Sequence, residues 1–203
     1  MLNTTFDSNF WKLYGTRIKI YAILTVVIIA VVQYWHHHKN HANKLAAQKF
    51  NMALVAMSAN DFLTAKNHNK ELLKYSDSTP YPKLAALMLA KIFVQEDNLA
   101  AAISTLQTVV DKKSKDNIWH IANLRLIKVL LLANQPKEAQ NYLALGIKDQ
   151  KFSSLYYERQ GDIFLAKEEL NQANNSYHKA VKALPEQTHA AWLDLKIADT
   201  NKN

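Results

Sequence analysis

Four short strings recur along this chain, and their spacing limits its fold more than any other feature. They are Asp61-Phe-Leu-Thr-Ala65, Asn98-Leu-Ala-Ala-Ala102, Gln135-Pro-Lys-Glu-Ala139 and Glu169-Leu-Asn-Gln-Ala173, and their closing alanines lie 37, 37 and 34 residues apart. Each string ends one helical apolar pattern and opens another, so each marks the turn of a helix–turn–helix unit. Asn60 or Asp61, Asn98 and Gln135 suit the cap of the second helix, and Pro136 suits its first position. Three glycines and four prolines in 203 residues are too few for collagen-like or low-complexity chains. The same scarcity disfavours turn-rich all-β folds and glycine-rich phosphate loops. The fold class that follows is all-α.

The last unit is the sharpest. Counted from Ser154, it places Tyr157, Gly161, Phe164, Ala173, Tyr177, Ala180 and Pro185 at positions 4, 8, 11, 20, 24, 27 and 32. This resembles the tetratricopeptide (TPR) pattern of 34 residues, with Gln160 at position 7 as its one departure. Small residues at 8, 20 and 27 let neighbouring helices approach closely, and large apolar ones at 4, 11 and 24 fill the gaps. Earlier units keep less of it. The unit from His120 retains Leu126, Leu130, Ala139, Leu143 and Gly146 but carries Ile127 where a small residue belongs. The unit from Lys83 retains Leu89, Ala90, Phe93, Ala102 and Leu106, with Ala86 and Val109 of the wrong size. Around Ala46 to Thr79 only Met52, Ala53 and Ala65 survive, which suggests a degenerate hairpin. Residues 187–198 form an amphipathic helix whose Trp192, Leu193 and Ile197 could close the stack.

Ahead of the repeats lies an apolar segment. Ile20–Val32 is thirteen residues with only the Tyr21 and Thr25 hydroxyls polar. Counted to its interfacial ends, Ile18–Trp35, it spans about 27 Å as a helix, close to the ~30 Å of a hydrocarbon core. Lys19 can snorkel, and Tyr14, Tyr21, Tyr34 and Trp35 sit where aromatic belts form. Gln33–His36 offers no small-x-small cleavage site, so an uncleaved anchor is expected. The charge maps onto this region: residues 1–49 hold six basic residues and one acid, whereas the remainder holds 19 and 16. Orientation is a tie, with Lys12, Arg17 and Lys19 before the span and Lys39, Lys44 and Lys49 after it. The three lysines after the span would rest near lipid headgroups. His36–His38 with His41 reads as a wet interfacial cluster in preference to a metal site. The expected organisation is a tail at 1–17, an anchor at 18–35, a linker helix and degenerate hairpin at 36–79, TPR-like repeats at 80–185, and a capping helix and tail at 186–203.

No catalytic constellation is present. Cysteine is absent, and no HExxH, GxSxG, P-loop or CxxC motif occurs. Glu96-Asp97 and Glu168-Glu169 read as solvated turn charges, and His68, His120, His178 and His189 are scattered. The expectation is a protein that is not an enzyme, with no cofactor, no metal and no nucleic-acid partner. TPR stacks instead present a groove lined by the first helix of each unit. The groove residues expected here are Leu84, Leu87 and Lys91 in one unit and Ile121, Leu124, Lys128 and Leu131 in the next. The same register adds Val94 and Gln95, Leu132, and, in the last unit, Leu155, Glu158, Asp162, Leu165 and Ala166. An apolar groove with two lysines suits an apolar or amphipathic segment, supplied by a partner or in cis by the helix after the anchor.

The layout is similar to the YfgM family of bacterial inner-membrane proteins, ancillary subunits of the SecYEG translocon. The resemblance rests on the span ending in Tyr34-Trp35, on Lys83–Val94, Ile121–Leu126 and Arg159–Asp162, and on the closing Leu195–Ile197. The tail at 1–17, less acidic than the family's, and the His36–His38 run depart from it. The resemblance implies a short cytoplasmic tail, a single pass through the inner membrane and a periplasmic TPR domain. It also implies association with SecYEG and with a periplasmic chaperone of the PpiD type, and it transfers no catalytic or ligand residues. Two other functions fit a TPR chain of this layout: a scaffold for another envelope machine, such as pilus or cytochrome biogenesis, and an import receptor with a cytosolic domain.

Overall fold

One turn, made four times, joins the helices in pairs. Asn60, Asp97, Asn134 and Glu168 all adopt the left-handed backbone conformation, at φ of 58°, 56°, 57° and 63°. Each is followed by a residue whose N–H reaches back to the helix just ended. Asp61 N donates to Ala56 O, Asn98 N to Phe93 O, Gln135 N to Leu130 O and Glu169 N to Phe164 O, at 2.8 to 2.9 Å. Together with the i−3 bonds from Asn60, Asp97, Asn134 and Glu168, this is a Schellman ending, which satisfies carbonyls that a helix terminus would leave orphaned. The residue that completes it then caps the next helix. Asp61 and Asn98 accept side-chain bonds from Thr64 N and Ala101 N, both at 3.0 Å. Asparagine and aspartate tolerate the left-handed region better than other non-glycine residues, which is how the chain makes these turns with so few glycines.

The computed structural model describes residues 8–75, 79–112, 115–186 and 188–201, with side chains described throughout these except at 8–13, 15, 16, 18 and 36–42. The side chains of the His36–His38 and His41 tract lie outside that set. The chain divides into two compact units, 1–48 and 49–203. Helix α1 runs Ser8–Ser58. It is followed by α2 (Phe62–Leu72), α3 (Tyr81–Gln95), α4 (Leu99–Val110), α5 (Asn117–Leu132) and α6 (Pro136–Gly146). A 3-10 turn (Gln150–Phe152) leads into α7 (Ser153–Ala166), α8 (Leu170–Lys182) and α9 (Ala191–Thr200). Among the described residues there is no strand, so the all-α expectation holds.

In the first unit, α1 includes the segment expected to be an anchor. Its side chains from Lys19 to Trp35 are all exposed, Ile20 to Val32 included, and the Thr25 hydroxyl donates to Tyr21 O at 2.8 Å. Among the described residues no helix is long and apolar enough to cross a membrane. Ile18, at the start of the expected span, lies outside the residues whose side chains are described.

In the second unit the pairs α3/α4, α5/α6 and α7/α8 stack in sequence, and α9 packs on α8. The main core runs through α3 to α7 and centres on Trp119, Leu126, Leu130, Leu143, Tyr156 and Ile163. A second core joins Tyr177, Ala180, Ala190 and Leu193, with Tyr157, Phe164 and Ile197 packed against it. The small positions of the repeat serve close approach. A Cβ built on Gly161 would lie 2.3 Å from the Tyr177 ring, and one on Gly146 would lie 2.1 Å from that of Tyr156. The expected closing helix is present with two corrections: it spans Ala191–Thr200 where 187–198 was expected, and, while Leu193 is buried and Ile197 half-buried, Trp192 is 50% exposed. Leu193 and Ile197 are four apart and share the inner face, and Trp192 is turned about 100° from Leu193 by the helical repeat of ~3.6 residues per turn.

His120 is a core histidine at the joint of α5 and α7. Its Nδ1 lies 2.9 Å from the Tyr156 hydroxyl and its Nε2 lies 3.3 Å from Asp149 Oδ2. The ring stacks on Phe152 at 4.4 Å, and Asn123 Nδ2 donates to Tyr156 Oη at 3.2 Å. Burial pushes the His120 pKa below its ordinary value, with Asp149 opposing, and burial pushes the Tyr156 phenol up to about 12.

Two outcomes follow. Gly161→Ala drives a methyl into a ring that cannot leave its buried site, and should cost about 1–3 kcal/mol. Differential scanning calorimetry should show the melting temperature falling by several degrees with helicity retained. For His120, the unfolded state binds the proton more readily than the folded one. Its contribution to stability is therefore present above the ordinary value of 6.5 and is lost as pH falls through the lowered folded pKa. Urea midpoints should drop on acidification below that point, and His120→Gln should flatten that slope.

Candidate partner-binding groove

The first helices of successive units lie side by side, α3 against α5 and α5 against α7, and form one face of the stack. Between α3 and α5 this face opens into a cavity of about 240 Å³ lined by Ala90, Lys91, Val94, Gln95, Arg125, Lys128, Val129 and Leu132. Helical spacing explains the set. Residues 125, 128, 129 and 132 fall at i, i+3, i+4 and i+7 of α5, and 91, 94 and 95 fall at i, i+3 and i+4 of α3, with Ala90 beside them. Ala90 and Val129 are buried at the floor, and Leu132 is 56% exposed at the mouth. Arg125 Nη1 donates to Leu87 O at 3.3 Å, which ties its guanidinium to α3.

Of the residues expected from sequence, Lys91, Val94, Gln95, Lys128 and Leu132 are brought together at this cavity. Ile121 is 39% exposed on the same helix as Lys128 without lining it. Leu84, Leu124 and Leu131 are half-buried and packed against the core. Leu87 is itself a core residue, because its side chain fills space among Ala86, Ala90 and the α5 residues. Arg125 and Val129 were missed by the repeat register, which counts inward positions from consensus. The i+3 and i+4 relation to Lys128 and to each other would have found them.

In the last unit Leu155, Leu165 and Ala166 are exposed, whereas the two acids expected on this face are covered. Glu158, 6% exposed, and Asp162 receive Lys196 of α9, whose Nζ donates to Glu158 Oε1 at 2.7 Å and to Asp162 Oδ1 at 2.6 Å. Arg159 Nη1 bonds Asp162 Oδ2 and lies 3.3 Å from Glu158 Oε1. The Tyr177 hydroxyl donates to Asp162 Oδ1 at 3.0 Å, and burial together with that carboxylate pushes its pKa far up. Two acids and two bases thus close a polar network under the capping helix. Among the described residues no group of three or more His, Cys, Asp and Glu could hold a metal ion.

Paired helices joined by one repeated turn, stacked with small residues at the contacts, match a known domain over almost all of the chain. The model of the tetratricopeptide repeat-like domain covers residues 8–202. This chain belongs to that family. Among similar proteins, the ancillary SecYEG translocon subunit of Escherichia coli (strain K12) is 25% identical, with 90% of this chain and 87% of that protein covered. The protein of the same name from Aggregatibacter actinomycetemcomitans is 28% identical over 84% of this chain and 79% of its own length. The resemblance drawn from the sequence is borne out by these. Among solved structures, BtubC from P. vanneervenii shares the tetratricopeptide-type fold at a TM-score of 0.67 and 12% identity, over 89% of this chain and 81% of that one. That likeness carries the fold alone.

Lys196→Met should leave Glu158 without its counter-charge at a site of low exposure. The expected cost is about 1–3 kcal/mol, between that of an exposed pair and a fully buried one. Urea unfolding should register the loss, limited proteolysis should release α9 first, and Glu158→Gln in the same chain should restore part of it.

Proposed function

We propose that this chain is a non-catalytic adaptor of the Sec translocon, held at the inner membrane by residues 18–35 and presenting its repeat domain in the periplasm. The observation that carries the proposal is the relatives' shared name, ancillary SecYEG translocon subunit, over four-fifths or more of this chain and a similar share of theirs. The repeat fold supports it, because helical stacks act by offering surface to other chains. The anchor is supported by the uninterrupted exposed apolar run at Ile20–Val32 and by the Thr25 hydroxyl, which is satisfied within its own helix as a hydrocarbon medium requires. On this proposal the groove between α3 and α5, with Lys91 and Lys128 at its mouth, meets a periplasmic chaperone of the PpiD type or an emerging chain, and Lys44 faces lipid headgroups.

The test is crosslinking in living cells, purification of the full-length protein in mild detergent and mass spectrometry of what accompanies it. Translocon subunits together with a periplasmic chaperone are the expected recovery. A different envelope complex in their place would overturn the function and leave the fold intact. A topology reporter fused after Asn203 should report the periplasm.

A further inference from the structure

We infer that the outer side of α9 is a half-site for a second helix. It takes an amphipathic helix of a partner chain, basic along its flanks, laid where the second helix lies in each paired unit. The inference concerns the end of the stack and stands apart from both the groove and the Sec role.

The repeat register carries it. Counting on from Ser154 by one repeat makes α9 a first helix, with Ala191, Leu195 and Ala198 at positions 4, 8 and 11. In α7 these positions are Tyr157, Gly161 and Phe164, and α8 covers them. Gly161 lies against the Tyr177 ring, and the other two pack on the core that Ala173, Tyr177 and Ala180 form. In α5 they are Asn123, Ile127 and Leu130, all fully buried. In α9 all three are exposed, Leu195 at 67%, with Trp192 exposed beside them. Among the described residues no helix follows α9 to cover them. The helix is thus apolar on both sides, Ala190, Leu193 and Ile197 facing the stack and Ala191, Trp192, Leu195 and Ala198 facing away. A helix that ends a repeat stack turns a polar side to water, and one apolar all round belongs in a buried setting.

The side chains define the occupant. The pairs α3/α4, α5/α6 and α7/α8 show a helix as the cover of such a face. On α9 the order along the stripe is small, large, small, so a matching helix carries a small residue opposite Leu195 and larger apolar ones on either side. Charge sets its sign. Among the described residues from 186 onward, the exposed ionisable side chains are Glu186, His189, Asp194 and Asp199, and Lys196 is turned onto Glu158 and Asp162. Three carboxylates with no outward lysine or arginine favour a basic partner and oppose an anionic lipid surface. A second copy would bring the same carboxylates together. The stripe also exposes roughly 300 Å², enough for one docked helix but short of the ~800 Å² per partner of a stable dimer.

The experiment is fluorescence anisotropy with full-length protein in nonionic detergent, each reading paired with the Leu195→Asp protein so that uptake by micelles cancels. The probes are a labelled helical peptide with a leucine–alanine–leucine stripe between lysines, the same peptide with glutamates for lysines, and the lysine peptide scrambled. The lysine peptide should bind the natural sequence saturably and Leu195→Asp about tenfold or more weakly. The scrambled peptide should not distinguish the two proteins, and the glutamate peptide should not bind. Glu186→Lys with Asp194→Lys should reverse the preference between lysine and glutamate peptides. Ala191→Arg should also lose the lysine peptide, whereas Leu145→Asp, at an exposed leucine of α6, should keep it. The two stripe variants check each other, since both alter exposed positions and circular dichroism should be unchanged. Bimane attached at Leu195→Cys, in a chain without native cysteine, should stay open to an aqueous quencher after reconstitution in anionic vesicles. Equal binding of lysine and scrambled peptides, or unchanged binding by both stripe variants, would overturn the inference. Protection of the bimane would make lipid the occupant, and a dimer in light scattering that Leu195→Asp abolishes would make it a second copy; either overturns it as well.

Discussion

Everything in the repeat domain depends on a backbone residue forced into the left-handed region between two helices. At Asn60, Asp97, Asn134 and Glu168 the chain reverses direction within two residues, and the outgoing N–H groups take up the last carbonyls of the incoming helix. A non-glycine residue in this region costs about 1–2 kcal/mol, less for asparagine and aspartate, whose short side chains bond locally. The cost is offset because the helix end is capped by the same residues that start its partner. An antiparallel pair with so short a connection can only pack face to face, and its partner helix then presents the other face to the next pair.

Packing takes over where the turn stops. Gly161 beneath Tyr177 and Gly146 beneath Tyr156 mark where two helices come close enough for a ring to lie over backbone. Alanines at 65, 102, 139 and 173 are fully buried at the equivalent point of each second helix. The large residues beside them, Trp119, Tyr156 and Tyr177, keep their polar atoms bonded: Trp119 Nε1 to Val110 O, and the two phenols to His120, Asn123 and Asp162. Satisfied polar groups of this kind add specificity to a core whose aliphatic part alone would tolerate sliding. The end of the stack is closed differently, by a charge network drawn over the last unit by Lys196. Glu158 and Asp162 of the final repeat are thereby spent on the cap, while Leu155, Leu165 and Ala166 of the same helix stay exposed and a cavity opens between α3 and α5.

Much of this was legible in the chain. The four strings located the turns, and three of the four turn residues, Asn60, Asp97 and Asn134, are of the types that tolerate them. Glu168 was placed in a turn, but its left-handed backbone was not legible, because glutamate has no preference for that region. Lys91 and Lys128 were placed at the groove by counting repeat positions, and they do line one cavity. Leu87 was assigned to that groove and lies in the core instead, because the same inward position is open or filled depending on how closely the neighbouring unit stacks. Trp192 shows the same limit at the far end, since amphipathicity could not say which of two adjacent large residues of a short helix would face in.

By itself, then, the sequence determined the helical class, the pairing of helices and the phase of the repeat. These depend on backbone chemistry within a few residues and on apolar spacing along one element. Only the tertiary structure decided that Lys196 reaches Glu158 and Asp162, 38 and 34 residues away, that Arg125 is fastened to Leu87 O, and that three cations share one apolar opening. Such meetings are set by the distance and angle between helices, which arise from the summed packing of the whole stack and from no local string of residues.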